Sequence, residues 1–87
     1  FNSNLQVKIY PNPASKLLIL EVLDPQETES YSFDLMNING QAVMASEFLD
    51  NSTSTIDISS FSGGTFIIRF YDSQAKMVNQ ASIIIRN

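Results

Sequence analysis

The chain has 87 residues (9.7 kDa), a formal net charge of −4 and neither His nor Cys. At this size folding hides only about two-thirds of the unfolded surface, which supports one modest core and no deep substrate-burying cleft. The missing residue types exclude the usual zinc ligands, haem ligation, imidazole bases, thiol nucleophiles and disulfides, and the five scattered basic residues leave no stripe for nucleic acid.

The apolar pattern repeats every two residues. Leu5-Gln6-Val7-Lys8-Ile9 alternates as a half-buried strand, and Pro11-Asn12-Pro13 stops it, because proline lacks a ladder N–H and sets the preceding residue extended. Lys16 to Leu23 reads as a second strand, with Leu18, Leu20 and Val22 on one face and Leu17, Ile19 and Glu21 on the other. Asp24 to Glu29 is an acidic loop. Tyr31, Phe33 and Leu35 mark a third strand, and Asn39-Gly40 predicts a type I′ hairpin turn into a fourth from Gln41 to about Phe48. Asp50 to Ser54 reads as loop, and Ile56 to Ile58 as a short fifth strand. Gly63-Gly64 marks a bend into a sixth strand, Thr65 to Tyr71, with Phe66, Ile68 and Phe70 sharing a face. Asp72 to Ala75 is a turn without glycine, and Met77 to Arg86 is the last strand.

About seven short antiparallel strands with turn residues between them, and no helical window, predict an all-β fold, an Ig-like β-sandwich. Leu, Ile, Val and Phe supply 27 residues, too many for a disordered chain. No apolar run approaches the roughly 20 residues of a helical membrane span. The chain opens at Phe1, which reads as a piece cut from the C-terminal end of a longer protein. Residues 1–4 are then the remnant of an upstream linker and 5–87 a single domain.

Catalytic chemistry finds little to work with. Asp34, Asp57 and Asp72 are the candidates for a carboxylate pair, but solvent faces and turns suit them better. Asp24, Glu27 and Glu29 lack the dense acid spacing of a calcium loop. Ser59, Ser60 and Ser62 have no His to take a proton. Asn51-Ser52-Thr53 matches a glycosylation acceptor, a triplet expected by chance in a chain this rich in Ser and Asn. Tyr10, Tyr31 and Tyr71 are the possible members of a stacking platform for carbohydrate. No cofactor or metal is expected.

Four segments resemble one family. Val7-Lys8-Ile9-Tyr10-Pro11-Asn12-Pro13-Ala14, followed by Leu18, Leu20 and Val22, is similar to the opening of the C-terminal sorting domain of type IX secretion cargo. Phe33 to Val43 is similar to the family's "v-x-l-y-n-x-x-G-k-x-V" hairpin. Ile56 to Ile68 is similar to its "i-D-l-S-x-L-x-x-G-x-Y-x-v" block, with Phe61 for the common Leu and Phe66 for the usual Tyr. Ser82 to Arg86 resembles its closing apolar strand. The turn before Lys76 lacks the usual Gly, and Asn87 follows the basic residue that often closes the chain.

The resemblance implies a secretion and sorting address with no catalytic residues. An upstream cargo would pass through the periplasm and be recognised by the outer-membrane type IX translocon. A sortase-like peptidase would then act upstream of the first strand, leaving the cargo at the cell surface or outside. The candidate recognition residues are Ile83, Ile84, Ile85, Arg86 and Asn87, because three consecutive isoleucines make both faces of the last strand apolar. If that strand is an edge it can dock a partner strand or swap between two copies. Pro11, Asn12 and Pro13 read as a structural corner. Gly40 and Gly64 read as residues that supply unusual backbone geometry, and Phe66 as the ring that follows into the core. A glycan- or protein-binding adhesion module, or an accessory domain of a larger surface enzyme, would fit the same composition.

Overall fold

Period-two alternation carries through to the backbone. The computed structural model, which describes residues 5–23, 30–49 and 53–86 (with side chains except at 45–48), contains seven strands and, among those residues, no helix. They are β1 (Gln6–Tyr10), β2 (Leu17–Leu23), β3 (Ser32–Asn37), β4 (Ala42–Phe48), β5 (Thr53–Asp57), β6 (Gly64–Tyr71) and β7 (Met77–Ile85). β1, β2 and β5 form one sheet in that order, and β4, β3, β6 and β7 the other, with every strand pair antiparallel.

The core lies between the sheets and is built from the alternating positions. Leu18, Leu20, Val22 and Ile56 come from the first sheet, and Phe33, Leu35, Phe66, Ile68, Phe70, Ile83 and Ile85 from the second. Fully burying a Leu, Ile or Phe contributes roughly 1.5–3 kcal/mol, so these contacts dominate the stability of so small a domain. Among the described residues no polar or charged side chain is buried.

The expected elements shift in three places. β5 begins at Thr53 rather than Ile56, because Thr53, Ser54 and Thr55 pair with Glu21, Leu20 and Ile19 of β2. Ile58 falls outside the strand yet is fully buried, its N–H donating to the Lys16 carbonyl at 2.9 Å. The turn after β3 is not type I′: of its residues only Gly40 has positive φ (+83°), where type I′ would require it at Asn39 as well. A three-residue loop closes instead, with the Gly40 N–H donating to the Asn37 carbonyl at 3.0 Å.

Between β1 and β2 the chain reverses through Pro11 to Pro13, where the Tyr10–Pro11 and Asn12–Pro13 peptide bonds are both cis. Ala14 then enters the core and forms an isolated parallel bridge with Ile85. This corner of the three-stranded sheet is therefore joined to the terminal strand of the four-stranded one.

Candidate functional site

The terminal strand resolves the ambiguity of its three isoleucines by alternation. Ile83 and Ile85 are each 1% exposed and belong to the core, while Ile84 is 42% exposed and faces solvent. Arg86, just past the strand, is exposed; Asn87 lies outside the described residues. β7 is an edge strand, as docking would require, but its last residues are not an open edge. The Ala14 N–H donates to the Ile84 carbonyl at 2.8 Å, and the Arg86 N–H donates to the Ala14 carbonyl at 2.8 Å. The Ile84 N–H donates to Asn12 Oδ1 at 3.0 Å. The proline corner thus has a structural role reaching beyond its own turn.

The bend at Gly63-Gly64 stands beside this end. Gly64 has φ +151° and pairs with Ile85, and Thr65 pairs with Ile84. A Cβ on Gly64 would meet the Phe66 ring at 3.9 Å, an ordinary contact, so the need for glycine is one of backbone geometry and not of close approach. Phe66 is buried, its ring centroid 6.1 Å from that of Phe61 and tilted by 30°. Asn37, the last residue of β3, pairs with Phe66 on the other side.

Between the β3–β4 turn and the segment before β6 runs an open groove of about 390 Å³. Ile38, Val43, Phe61, Gly64 and Phe66 line it, with no charged side chain in its wall. Composition predicts no such feature. It arises because Ile38, at the tip of the turn, is 71% exposed, and Val43 is also left uncovered. An apolar residue inside a turn is the one signal that could have pointed to it.

One part of each of the four segments that carry the sequence resemblance therefore lies at one end of the sandwich. The proline corner, the Asn37–Gln41 turn, the stretch from Asp57 to Phe66 and the end of β7 all lie there, by the pairings of Leu17 with Asp57, Asn37 with Phe66 and Gly64 with Ile85. Leu5, where the upstream chain enters, is at the opposite end. Its carbonyl accepts from Asn79 Nδ2 at 3.2 Å, near the turn between β6 and β7.

The acidic candidates are not brought together. Asp34 lies on the outer face of the four-stranded sheet in a two-pronged ion pair with Arg69, whose Nε and Nη2 donate to Oδ1 and Oδ2, both at 2.8 Å. The Tyr71 hydroxyl donates to the same carboxylate at 3.2 Å. The hydrogen bond to Asp34 holds the Arg69 pKa above its ordinary value. Partial burial, then the Asp34 charge, raise that of Tyr71. Asp57 is exposed at the end of β5, and its pKa is lowered by hydrogen bonds from the Ser59 hydroxyl and N–H. Asp72 opens the β6–β7 turn, where its Oδ1 accepts two backbone N–H groups.

The tyrosines do not form a platform either. The Tyr10 hydroxyl donates to Glu21 at 3.1 Å on the outer face of the three-stranded sheet, a bond that raises its pKa. Tyr71 is on the outer face of the other sheet, and Tyr31 packs against the core. Among the described residues no three His, Cys, Asp or Glu side chains gather to hold a metal ion. The acidic loop from Asp24 to Glu29 and the pair Asn51-Ser52 lie outside the described residues.

An Ig-like sandwich whose distinctive segments converge on the end away from the upstream chain is the class that fold and site define. Within it, the chain belongs to the family described as the secretion system C-terminal sorting domain, whose model matches residues 8–86. The role that goes with this membership is that of a type IX secretion sorting signal, and with it export to the cell surface or extracellular space. A search of curated proteins finds no match.

Proposed function

We propose that the chain is a non-catalytic address, and that the translocon of the type IX system reads it at the end of the sandwich formed by the proline corner, the Gly63-Gly64 bend and residues 84–86. The observation that carries this reading is that each of the four family-like segments contributes a turn or strand end there, opposite Leu5, where a cargo would be attached. A cargo docked at the Leu5 end leaves the far end unobstructed. The machinery needs shape and backbone groups from such a surface, and Ile84 and Arg86 are both exposed on it. Cargo bearing the domain crosses the inner membrane, folds in the periplasm and is then recognised. A sortase-like peptidase removes the domain upstream of β1, within or before residues 1–4.

The test is export of a reporter. A signal peptide, a folded reporter and this chain are fused in that order and expressed in a cell with a working type IX system. The expected outcome is reporter in the medium or on the surface, and periplasmic retention when residues 82–87 are deleted. Normal export of the deleted form would remove the terminal strand from recognition. Retention of the intact fusion, with the purified domain adhering to glycan, would favour the adhesion reading, for which the groove beside Phe61 and Phe66 is the supporting feature.

A further inference from the structure

The β3–β4 turn carries a chemically reactive pair, Asn39 followed by Gly40. Asparagine is among the labile residues. Its side-chain carbonyl can be attacked by the peptide nitrogen of the next residue, and glycine, with no Cβ, hinders that approach least. The chain's other asparagines precede Ser, Leu, Pro, Ile or Gln, or stand last. Proline has no N–H to lose, and the rest carry a side chain beside the attacking nitrogen. Asn39 also differs in its surroundings. Asn12 Oδ1 accepts from Ile84, Asn37 is bonded through Oδ1 and Nδ2, and Asn79 reaches Leu5 and Gln80. Asn39 is exposed, and among the described residues its side chain has no hydrogen-bond partner.

The turn restrains this pair. The attacking nitrogen would be that of Gly40, whose N–H donates to the Asn37 carbonyl at 3.0 Å. Asn37 Oδ1 accepts the N–H groups of Asn39 at 2.9 Å and of Gln41 at 3.0 Å. Three successive backbone N–H groups are thus held by Asn37, with Gly40 fixed at φ +83°. For the Gly40 nitrogen to reach the Asn39 side chain, the peptide between them has to turn, and these bonds have to open.

We propose that Asn39 is a self-modification site, a site of deamidation, and that Asn37 is the clasp that sets its rate through local opening of the turn. In the step, the Gly40 nitrogen loses its proton and bonds to the side-chain carbonyl carbon of Asn39. The bond from that carbon to Nδ2 breaks, and ammonia leaves with the proton, so that a succinimide ring joins the two residues. Water then adds to either ring carbonyl and opens the ring, to aspartate at position 39 or to its isoaspartyl isomer. Nothing is oxidised or reduced. Either product puts a negative charge beside Ile38, which lines a groove with no charged side chain in its wall. The isoaspartyl form also adds a carbon to the backbone between residues 39 and 40, which shifts the Gly40 and Gln41 N–H groups away from their Asn37 acceptors. This chemistry does not depend on whether the translocon reads that end of the sandwich.

The experiment incubates the 87-residue chain in mildly alkaline buffer, folded and in urea, beside folded Asn37→Ala and Asp72→Ala. Peptide mapping by mass locates each amide converted to acid and gives its rate. In urea Asn39 is expected to convert before any other asparagine. In the folded wild type it is expected to convert at least about tenfold more slowly, the effect of about 1.4 kcal/mol of closure. Asn37→Ala is expected to raise the folded rate at Asn39 about five- to thirtyfold, the range set by two lost bonds to backbone N–H groups. Asp72 clasps the β6–β7 turn in the same way, with Oδ1 on the N–H groups of Gln74 and Lys76. Asp72→Ala therefore weakens the fold comparably without touching Asn39, and the Asn39 rate is expected to stay near wild type. If Asn37→Ala does not fold, amide exchange in the wild type carries the test: Gly40 is expected to exchange faster than Leu35 and Ile68 in the sheet centre. Asn39 converting as fast folded as in urea, another asparagine converting first in urea, an Asn37→Ala rate equal to that of the wild type or of Asp72→Ala, or a Gly40 amide as slow as those of Leu35 and Ile68 would each overturn the proposal.

Discussion

Two hairpins of the four-stranded sheet close on the same device with different residues. Asn37–Gln41 joins β3 to β4, and Asp72–Lys76 joins β6 to β7. In each, the first residue's N–H donates to the carbonyl of the fifth at 2.9 Å, and the fourth residue's N–H donates to the carbonyl of the first at 3.0 Å. In each, Oδ1 of the first residue accepts the N–H groups of the third and the fifth, at 2.9 and 3.0 Å. The fourth residue has positive φ in both, +83° for Gly40 and +62° for Ala75. The loop is therefore specified by an Asn or Asp oxygen at the first position and a left-handed residue at the fourth. Glycine makes that conformation easy but is not required for it. Ala75 sustains a cost of roughly 1–2 kcal/mol that Gly40 avoids, and the bonds to Asp72 offset it.

The strongest test of this equivalence removes the shared oxygen. Asn37→Ala and Asp72→Ala each lose two hydrogen bonds to backbone N–H groups, and each is expected to destabilise the chain by about 1–2 kcal/mol in urea unfolding. Asp72→Ala should be at least as damaging, because nothing then compensates Ala75. A loss below a few tenths of a kcal/mol for Asp72→Ala, beside a full loss for Asn37→Ala, would show that the two turns are alike only in outline.

Exchanging the fourth residues is the next, smaller test. Gly40→Ala should cost about 1 kcal/mol although the space around it is open, because the penalty is in the backbone alone. Ala75→Gly should stabilise by about 0.5–1 kcal/mol, part of the relief being lost to the greater freedom of glycine in the unfolded chain. The two turns share no partners, so the double variant should return close to wild type. A destabilising Ala75→Gly would contradict the positive-φ account.

These turns also show where a single sequence stops being legible. β2 and β6 can be read directly, because Leu18, Leu20 and Val22, and Phe66, Ile68 and Phe70, alternate with less buried neighbours. The three isoleucines of β7 cannot, since a run with no alternation leaves open which members face inward; pairing with Phe66 and Gly64 decides for Ile83 and Ile85. Asn39-Gly40 points to a tight turn and to the wrong type, because the side chain that closes the loop belongs to Asn37, outside the dipeptide. The first half of β5 reads as loop because Thr53, Ser54 and Thr55 sit on an edge strand that buries little before Ile56. The tie between Asn12, Ala14 and the end of β7 joins positions 72 residues apart. No local pattern encodes a contact of that separation.

Asp57 extends the comparison to a carboxylate that senses pH. Its Oδ1 accepts the Ser59 N–H at 2.9 Å and the Ser59 hydroxyl at 2.6 Å, the same use of an Asx oxygen two residues ahead that Asn37 and Asp72 make. Both bonds favour the charged form, the hydroxyl the more, so the folded pKa lies below the ordinary 3.8. A depressed carboxylate pKa contributes stability that is fully present above the unfolded value and is lost as pH falls through the folded one. The turn at Asp57 should therefore weaken only in strong acid, and because the group is exposed the effect is small and reduced by salt. Asn37 carries no ionisable group, and its loop should show no such dependence of its own. Ser59→Ala removes the larger cause and leaves the backbone N–H, so the Asp57 carboxyl should titrate at higher pH while staying below 3.8. Following its carboxyl carbon by NMR in wild type and variant checks this. An unchanged titration would mean that the backbone N–H alone holds the charge, and that the Ser59 hydroxyl only follows it.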